Sequence, residues 1–160
     1  MAAITERPRA KQFVELFARH GVAVTLSALG AGTARSELLD YFGLEKTEKV
    51  VTFSVVTRSA WRAVKQAMQR ELNIDVPGTG IAFIIPLSSM GGKKPLAFLT
   101  DGQDFEAGEE SALKGTKYEL LVVIANQGYT ELIMDAAREQ QAGGGTVLHA
   151  KGTGMEKAEK

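Results

Sequence analysis

The sequence predicts an α/β fold, an antiparallel sheet assembled in the order βαββαβ. Three observations predict it. Apolar residues recur at helical spacing in two stretches, β-branched and apolar runs flank those stretches, and Gly- and Pro-containing clusters separate the runs.

Residues 1–6 read as a short opening strand. Pro8 suits the first turn of a helix, where its missing N–H is not needed. Ala10, Phe13, Leu16, Phe17 and His20 then recur on one side, with Lys11, Glu15 and Arg19 on the other, and Gly21 ends the helix. Residues 22–29 are the second strand, closed by Gly30-Ala-Gly-Thr. A short helix over 37–42, stopped by Gly43, precedes a third strand at 50–56, with Val51, Phe53 and Val55 on one face. Trp61, Val64, Met68 and Leu72 mark a second amphipathic helix, with Ser59 as its N-cap. Pro77-Gly-Thr-Gly is a turn, and the continuous apolar run 81–87 is the fourth strand. Two right-handed βαβ halves of this kind make one sheet with both helices on one face, the ferredoxin-like sandwich. Its expected core is Phe13, Leu16, Phe17, Phe53, Val55, Val64, Met68, Phe83 and Ile85.

Residues 88–117 read as a linker, opening on Ser88-Ser-Met-Gly-Gly-Lys-Lys-Pro, with room for a brief strand at 96–99. The pattern then restarts, with a strand at 118–124, a helix at 130–140 and a strand at 145–150 ending in Lys151-Gly-Thr-Gly. Laying residues 1–40 on 121–160 puts strand on strand, helix on helix and Gly32-Thr33 on Gly152-Thr153. The organisation expected is a domain at 1–87, a linker at 88–117 and a partial second repeat, βαβ, at 118–160. In such a sheet the two strands of one half are separated by a strand of the other. The terminal half is therefore expected to be completed by another chain or by residues beyond Lys160. An unpaired apolar strand at 118–124 is an association surface, so a homo-oligomer, dimer or trimer, is expected.

Lys+Arg and Asp+Glu both number 19, which gives no net charge to attract nucleic acid or an anionic membrane. The absence of cysteine excludes disulfides, thiolate chemistry and cysteine-ligated zinc. The N-terminus lacks the apolar core of a signal peptide and no apolar run could span a bilayer, so a cytoplasmic protein is expected. Neither a nucleophile–base pair nor a metal-ligand cluster stands out, so an enzyme is not expected. His149 lacks a serine or carboxylate context for catalysis, and His20 complements a helix C-terminus. Arg58, Arg62 and Lys65 read as a solvated face, Trp61 and Met68 as core, and the acidic stretch 101–110 lacks calcium-loop spacing.

Two segments carry a family resemblance. Pro77-Gly-Thr-Gly-Ile-Ala-Phe-Ile-Ile-Pro-Leu resembles the phosphate-binding loop and following strand G-D-G-K-I-F-V-x-P-V of the P-II nitrogen-signalling proteins, and Thr146-Val-Leu-His-Ala-Lys-Gly-Thr-Gly resembles their T-V-x-x-x-K-G-x-G strand. The resemblance implies a regulatory protein that binds adenine nucleotide (ATP, ADP or AMP) between subunits, needs no cofactor and docks onto target proteins. It implies backbone donors to phosphate at Gly78, Thr79 and Gly80, since clustered N–H groups form an anion nest. It implies an opposite wall of Thr146, Lys151, Gly152, Thr153 and Gly154, with Gly32 and Thr33 as counterparts in the first copy. Ile81 stands where the family has its loop lysine, Lys93 and Lys94 are the cations nearest the last strand of the first copy, and the tyrosine motif Y-x-G-x-x-Y is absent. A diverged, tandem P-II-like regulator is the expectation. A ligand-free assembly module is the alternative.

Overall fold

Strand β1 (Ala2–Glu6) runs directly into helix α1 (Arg7–Arg19), with Pro8 in the first helical turn, where its missing donor breaks no helical bond. The computed structural model describes residues 1–31, 48–105 and 120–153. After α1 come β2 (Leu26–Ala31), β3 (Glu48–Phe53), α2 (Arg58–Leu72), β4 (Ile81–Phe83), α3 (Lys93–Leu99), α4 (Thr130–Glu139) and β5 (Ala150–Gly152). The described residues thus form a mixed α/β structure with a five-stranded sheet and four helices. The strands lie in the order β4-β1-β3-β2-β5, every neighbour antiparallel. The chain divides into two compact units, Met1–Ser111 with Ala150–Lys160, and Ala112–His149.

In the first unit α1 and α2 bury one face of the sheet. Phe13, Leu16 and Phe17 of α1 meet Ala60, Val64, Ala67, Met68 and Leu72 of α2 over Ala3, with Val22 closing the end. Phe13 and Phe17 pack edge to face, centroids 6.2 Å apart, a geometry aromatic quadrupoles favour. Beneath the helices lies a buried hydroxyl layer. Thr25 and Ser54 share a 3.0 Å hydrogen bond, Thr52 donates to the Ala3 carbonyl, and Thr5 Oγ1 has no partner. The Met1 ammonium donates to Ser54 O at 2.9 Å while Ser54 N returns a bond to Met1 O, and burial pushes that ammonium below its ordinary pKa of 8.0.

The opposite sheet face is turned away from α1 and α2 and is free of both helices. Phe83, Ala2, Phe53 and Leu26 stand in one row across it, and Ile81, Ile4, Val51 and Ala28 in the next. The small residues Ala2 and Ala28 are covered, but Phe53 stays 37% exposed, Phe83 41% and Ile81 63%. This overturns part of the expected core. Phe13, Leu16, Phe17, Val64 and Met68 are buried, whereas Phe53 and Phe83 point away from the helices, Val55 is half-buried and Ile85 is 53% exposed. The side chains of β3 that face the helices are Val50 and Thr52.

Several boundaries differ from expectation. Residues 22–25 pack without joining a ladder, β3 begins two residues early and ends at Phe53, and pairing of β4 ends at Phe83. The cap of α2 is Thr57, whose hydroxyl accepts from Ala60 N, rather than Ser59. The helix expected at 37–42, with Gly43, lies outside the described residues, as do Tyr118 and residue 119.

The stretch read as linker holds a helix, α3, not a strand, and is fastened to the first unit. The Gln103 side-chain amide accepts from Thr57 N at 2.8 Å and donates to Val55 O at 2.8 Å, satisfying the backbone beyond β3 as another strand would. Thr100 is buried and its hydroxyl returns to Leu96 O.

The second unit has α4 but, among its described residues, no strand. Residues 120–124, expected as a strand, have no ladder partner, and neither do residues 145–149. On α4 the residues Ile133, Met134 and Ala137 are half-buried, and a Cβ at Gly145 would stand 3.0 Å from Met134 Sδ. The strand that follows, β5, belongs to the first unit, where it pairs with the edge of β2. Of the strand expected at 145–150 only Ala150 falls in β5, and it is residues 150–152 that extend the first sheet.

Candidate functional site

The glycine turn before β4 is built from the end of α2. Asn73 caps that helix in the left-handed conformation (φ 52°, ψ 45°), which asparagine tolerates. Ile74 N then bonds Met68 O, and Val76 N bonds Asn73 O, turning the chain back. Thr79 locks the turn from inside, with its amide donating to Val76 O at 3.2 Å and its hydroxyl directed to Val76 O at 2.8 Å and Asn73 O at 3.0 Å. The donors of Thr79 are thus turned into the loop.

The two flanking glycines differ. Gly78 (φ +88°) has open space where a Cβ would stand, so its backbone can be approached from solvent. Gly80 (φ +146°) is packed, since a Cβ there would lie 3.0 Å from Ile4 O, 3.2 Å from Thr5 Cγ2 and 3.3 Å from Ile74 Cδ1. Arg9 ties this turn to α1. Its guanidinium donates to Leu72 O at 3.0 Å and Thr79 O at 3.4 Å, which satisfies a terminal carbonyl of α2. Ile81 follows on the helix-free face, opposite Ile4. Beside the turn, at the same end of the sheet, Arg7 pairs with Glu48 at 2.6 Å and Lys49 with Glu6 at 3.3 Å. Glu6, Arg7, Pro8 and Glu48 line a shallow depression. Exposed pairs of this kind are worth at most about 1 kcal/mol each.

Of the opposite wall, Lys151 and Gly152 lie in β5, opposite Ser27 and Leu26. Thr153 is used structurally. Its hydroxyl accepts from Thr25 N at 2.9 Å and donates to Ala23 O at 3.0 Å, while its amide donates to Thr25 O. Thr146 is exposed in the second unit. Gly32, Thr33 and Gly154 lie outside the described residues. Within one chain, residues 78–80 and 151–153 do not meet. They flank opposite edges of the sheet, β4 and β5, with β1, β3 and β2 between them, about 19 Å at the usual strand spacing.

Arg9 and Asn73 position the turn, whereas Gln103 holds residues 55–57 beyond the other end of β3, and the sequence reading gives none of the three a role. Only Asn73 carried a local signal, as an asparagine directly after a helical apolar stripe. His20 caps α1, as its position at the helix end suggested, and His149 is exposed. Arg58, Arg62 and Lys65 form an exposed face of α2. Among the described residues no group of acidic or histidine side chains is placed to hold a metal ion, and no helix is long and apolar enough to cross a membrane. Comparison with family models, curated proteins and solved structures gave no match.

Proposed function

We propose that this protein is a P-II-like regulator that senses a small metabolite or adenine nucleotide in the cytoplasm and controls partner proteins, without chemistry of its own. The observation that carries the reading is the Pro77-Gly-Thr-Gly turn. It connects α2 to the edge strand β4 of the five-stranded sheet β4-β1-β3-β2-β5, whose first four strands, with α1 and α2 on one face, support a ferredoxin-like reading. Gly78 and Gly80 hold positive φ there, and Gly78 is open to a ligand. Fold likeness alone does not establish function, so the resemblance of the turn's residues is what favours a regulator.

The separation of residues 78–80 from 151–153 favours a ligand held between protomers, in a dimer or trimer. The helix-free face with Phe53, Phe83 and Ile81 supplies an apolar surface for that contact. The test is thermal unfolding of the full chain with ATP, ADP, AMP or 2-oxoglutarate. A ligand bound only by the native state raises Tm, by about 2.7 kcal/mol of stability at a hundredfold excess over Kd. No shift with any of the four overturns the reading.

The same apolar face favours one alternative, a ligand-free assembly module. That module would show concentration-dependent association and no response to the four compounds.

A further inference from the structure

Residues 120–124, Leu-Leu-Val-Val-Ile, are the most exposed apolar run of the described chain, each residue between 51% and 81% open to solvent. A run apolar at every position is the pattern of a strand buried on both faces. Here neither face is covered and, among the described residues, nothing pairs with its backbone. Leu132 on α4 and Val147 and Leu148 beyond it are also more than half exposed. At roughly 100 Å² of open surface apiece, these eight side chains offer about 800 Å², the share one partner gives to a standard interface.

The first unit shows how such a half is completed. There β1 and β3, the leading strands of the two halves, lie side by side and antiparallel, and the trailing strand of each half flanks the leading strand of the other. The second unit offers one such half: an apolar run, helix α4 and the unpaired residues 145–149. A second identical half supplies what it lacks, because antiparallel pairing of two like strands has two-fold symmetry.

We propose that residues 120–124 of two copies of this chain pair antiparallel about a two-fold axis at Val122, with residues 145–149 of each copy flanking the other's run. This goes beyond the regulatory reading and does not depend on ligand binding.

The chain has no cysteine, so one introduced thiol reports the register. Val122→Cys places two thiols directly opposite each other, within reach of a disulfide. Leu120→Cys places them four residues apart along the strands, about 13 Å, too far to bridge. Both full-length variants are oxidised at low concentration and resolved by non-reducing electrophoresis, and the unmodified chain is measured by sedimentation equilibrium. The expected result is a reversible dimer, a covalent dimer in more than half of the Val122→Cys chains and at least fivefold less from Leu120→Cys. A wild-type monomer at 200 μM, as an order-of-magnitude ceiling for weak association, overturns the proposal. So does equal cross-linking of the two variants, or a closed trimer.

Discussion

A β-carbon on Gly21 would stand 2.8 Å from the carbonyl oxygen of Gly102, and one on Gly102 would stand 3.3 Å from the carbonyl oxygen of Gly21. Both residues also hold positive φ, +80° and +78°. The turn after α1 and the turn after α3 therefore approach each other backbone to backbone. Gly21→Ala is expected to lower stability by about 1–3 kcal/mol, from strain at positive φ together with the contact. Urea unfolding measures it, and a change below 0.5 kcal/mol, the size of a neutral surface substitution, would mean that the two turns are not held together.

The two sheet faces should respond differently to truncation. Phe17→Ala, at a fully buried position, is expected to cost about 3–5 kcal/mol. Phe53→Ala, on the helix-free face, should cost less than half as much in a monomer. If Phe53 lies in a subunit contact, its truncation should instead weaken association. Unfolding midpoints taken at two protein concentrations separate the two effects.

Much of this was readable from sequence, and the remainder has identifiable causes. Helices α1 and α2 were legible because Phe13, Leu16, Phe17, Val64 and Met68 recur at a helical period. The orientation of β3 was not. Its bulkier residues Val51 and Phe53 look like core, yet parity with Ala3 and Thr5 turns Val50 and Thr52 toward the helices. The glycine turn at 78–80 was legible from its residues. Its fastening to Arg9 was not, because that bond joins residues 70 apart. The role of residues 93–105 was hidden for the same reason, since a lone glutamine does not announce that its amide will serve as a strand edge.

Thr153 tests the attachment of β5. All three residues of that strand are exposed, so their pairing buries no side chain, and the Thr153 hydroxyl provides the added bonds to Thr25 and Ala23. Thr153→Val leaves Thr25 N without that acceptor, at an expected cost of about 1–3 kcal/mol. Hydrogen exchange of the Thr25 amide should accelerate at least tenfold, while amides within α1 keep their protection.

Ile81 tests the ligand. It is exposed at the start of the edge strand, so a longer cation fits there without disturbing the core. Ile81→Lys restores the charge of the family's loop and should strengthen triphosphate over monophosphate binding by roughly 10–150-fold, the value of one charge-assisted hydrogen bond. Gly80→Val meets Ile4 O and Thr5, so it should abolish binding of every nucleotide and also lower stability. Titration calorimetry of both variants checks this, and equal affinities for wild type and Ile81→Lys would remove Ile81 from the site.

The Met1 ammonium predicts a pH effect of fixed sign. Its pKa is lowered by burial, so just below pH 8.0 the unfolded chain binds more protons at this group than the folded chain does. Its contribution to stability therefore rises with pH up to 8.0 and levels off above it. Acetylating the amine should flatten that part of the stability profile, as read from denaturation midpoints across the interval.

The pairing of β2 with β5 joins residues 26–28 to residues 150–152. A ribosome adding about 5–20 residues per second needs roughly 6–25 s to make the intervening chain. The rest of the sheet has emerged well before then, because β4 ends at Phe83. During that interval the outer edge of β2 presents backbone N–H and C=O groups without their partner strand. Closure of this edge is therefore the last step in completing the sheet as the chain is made.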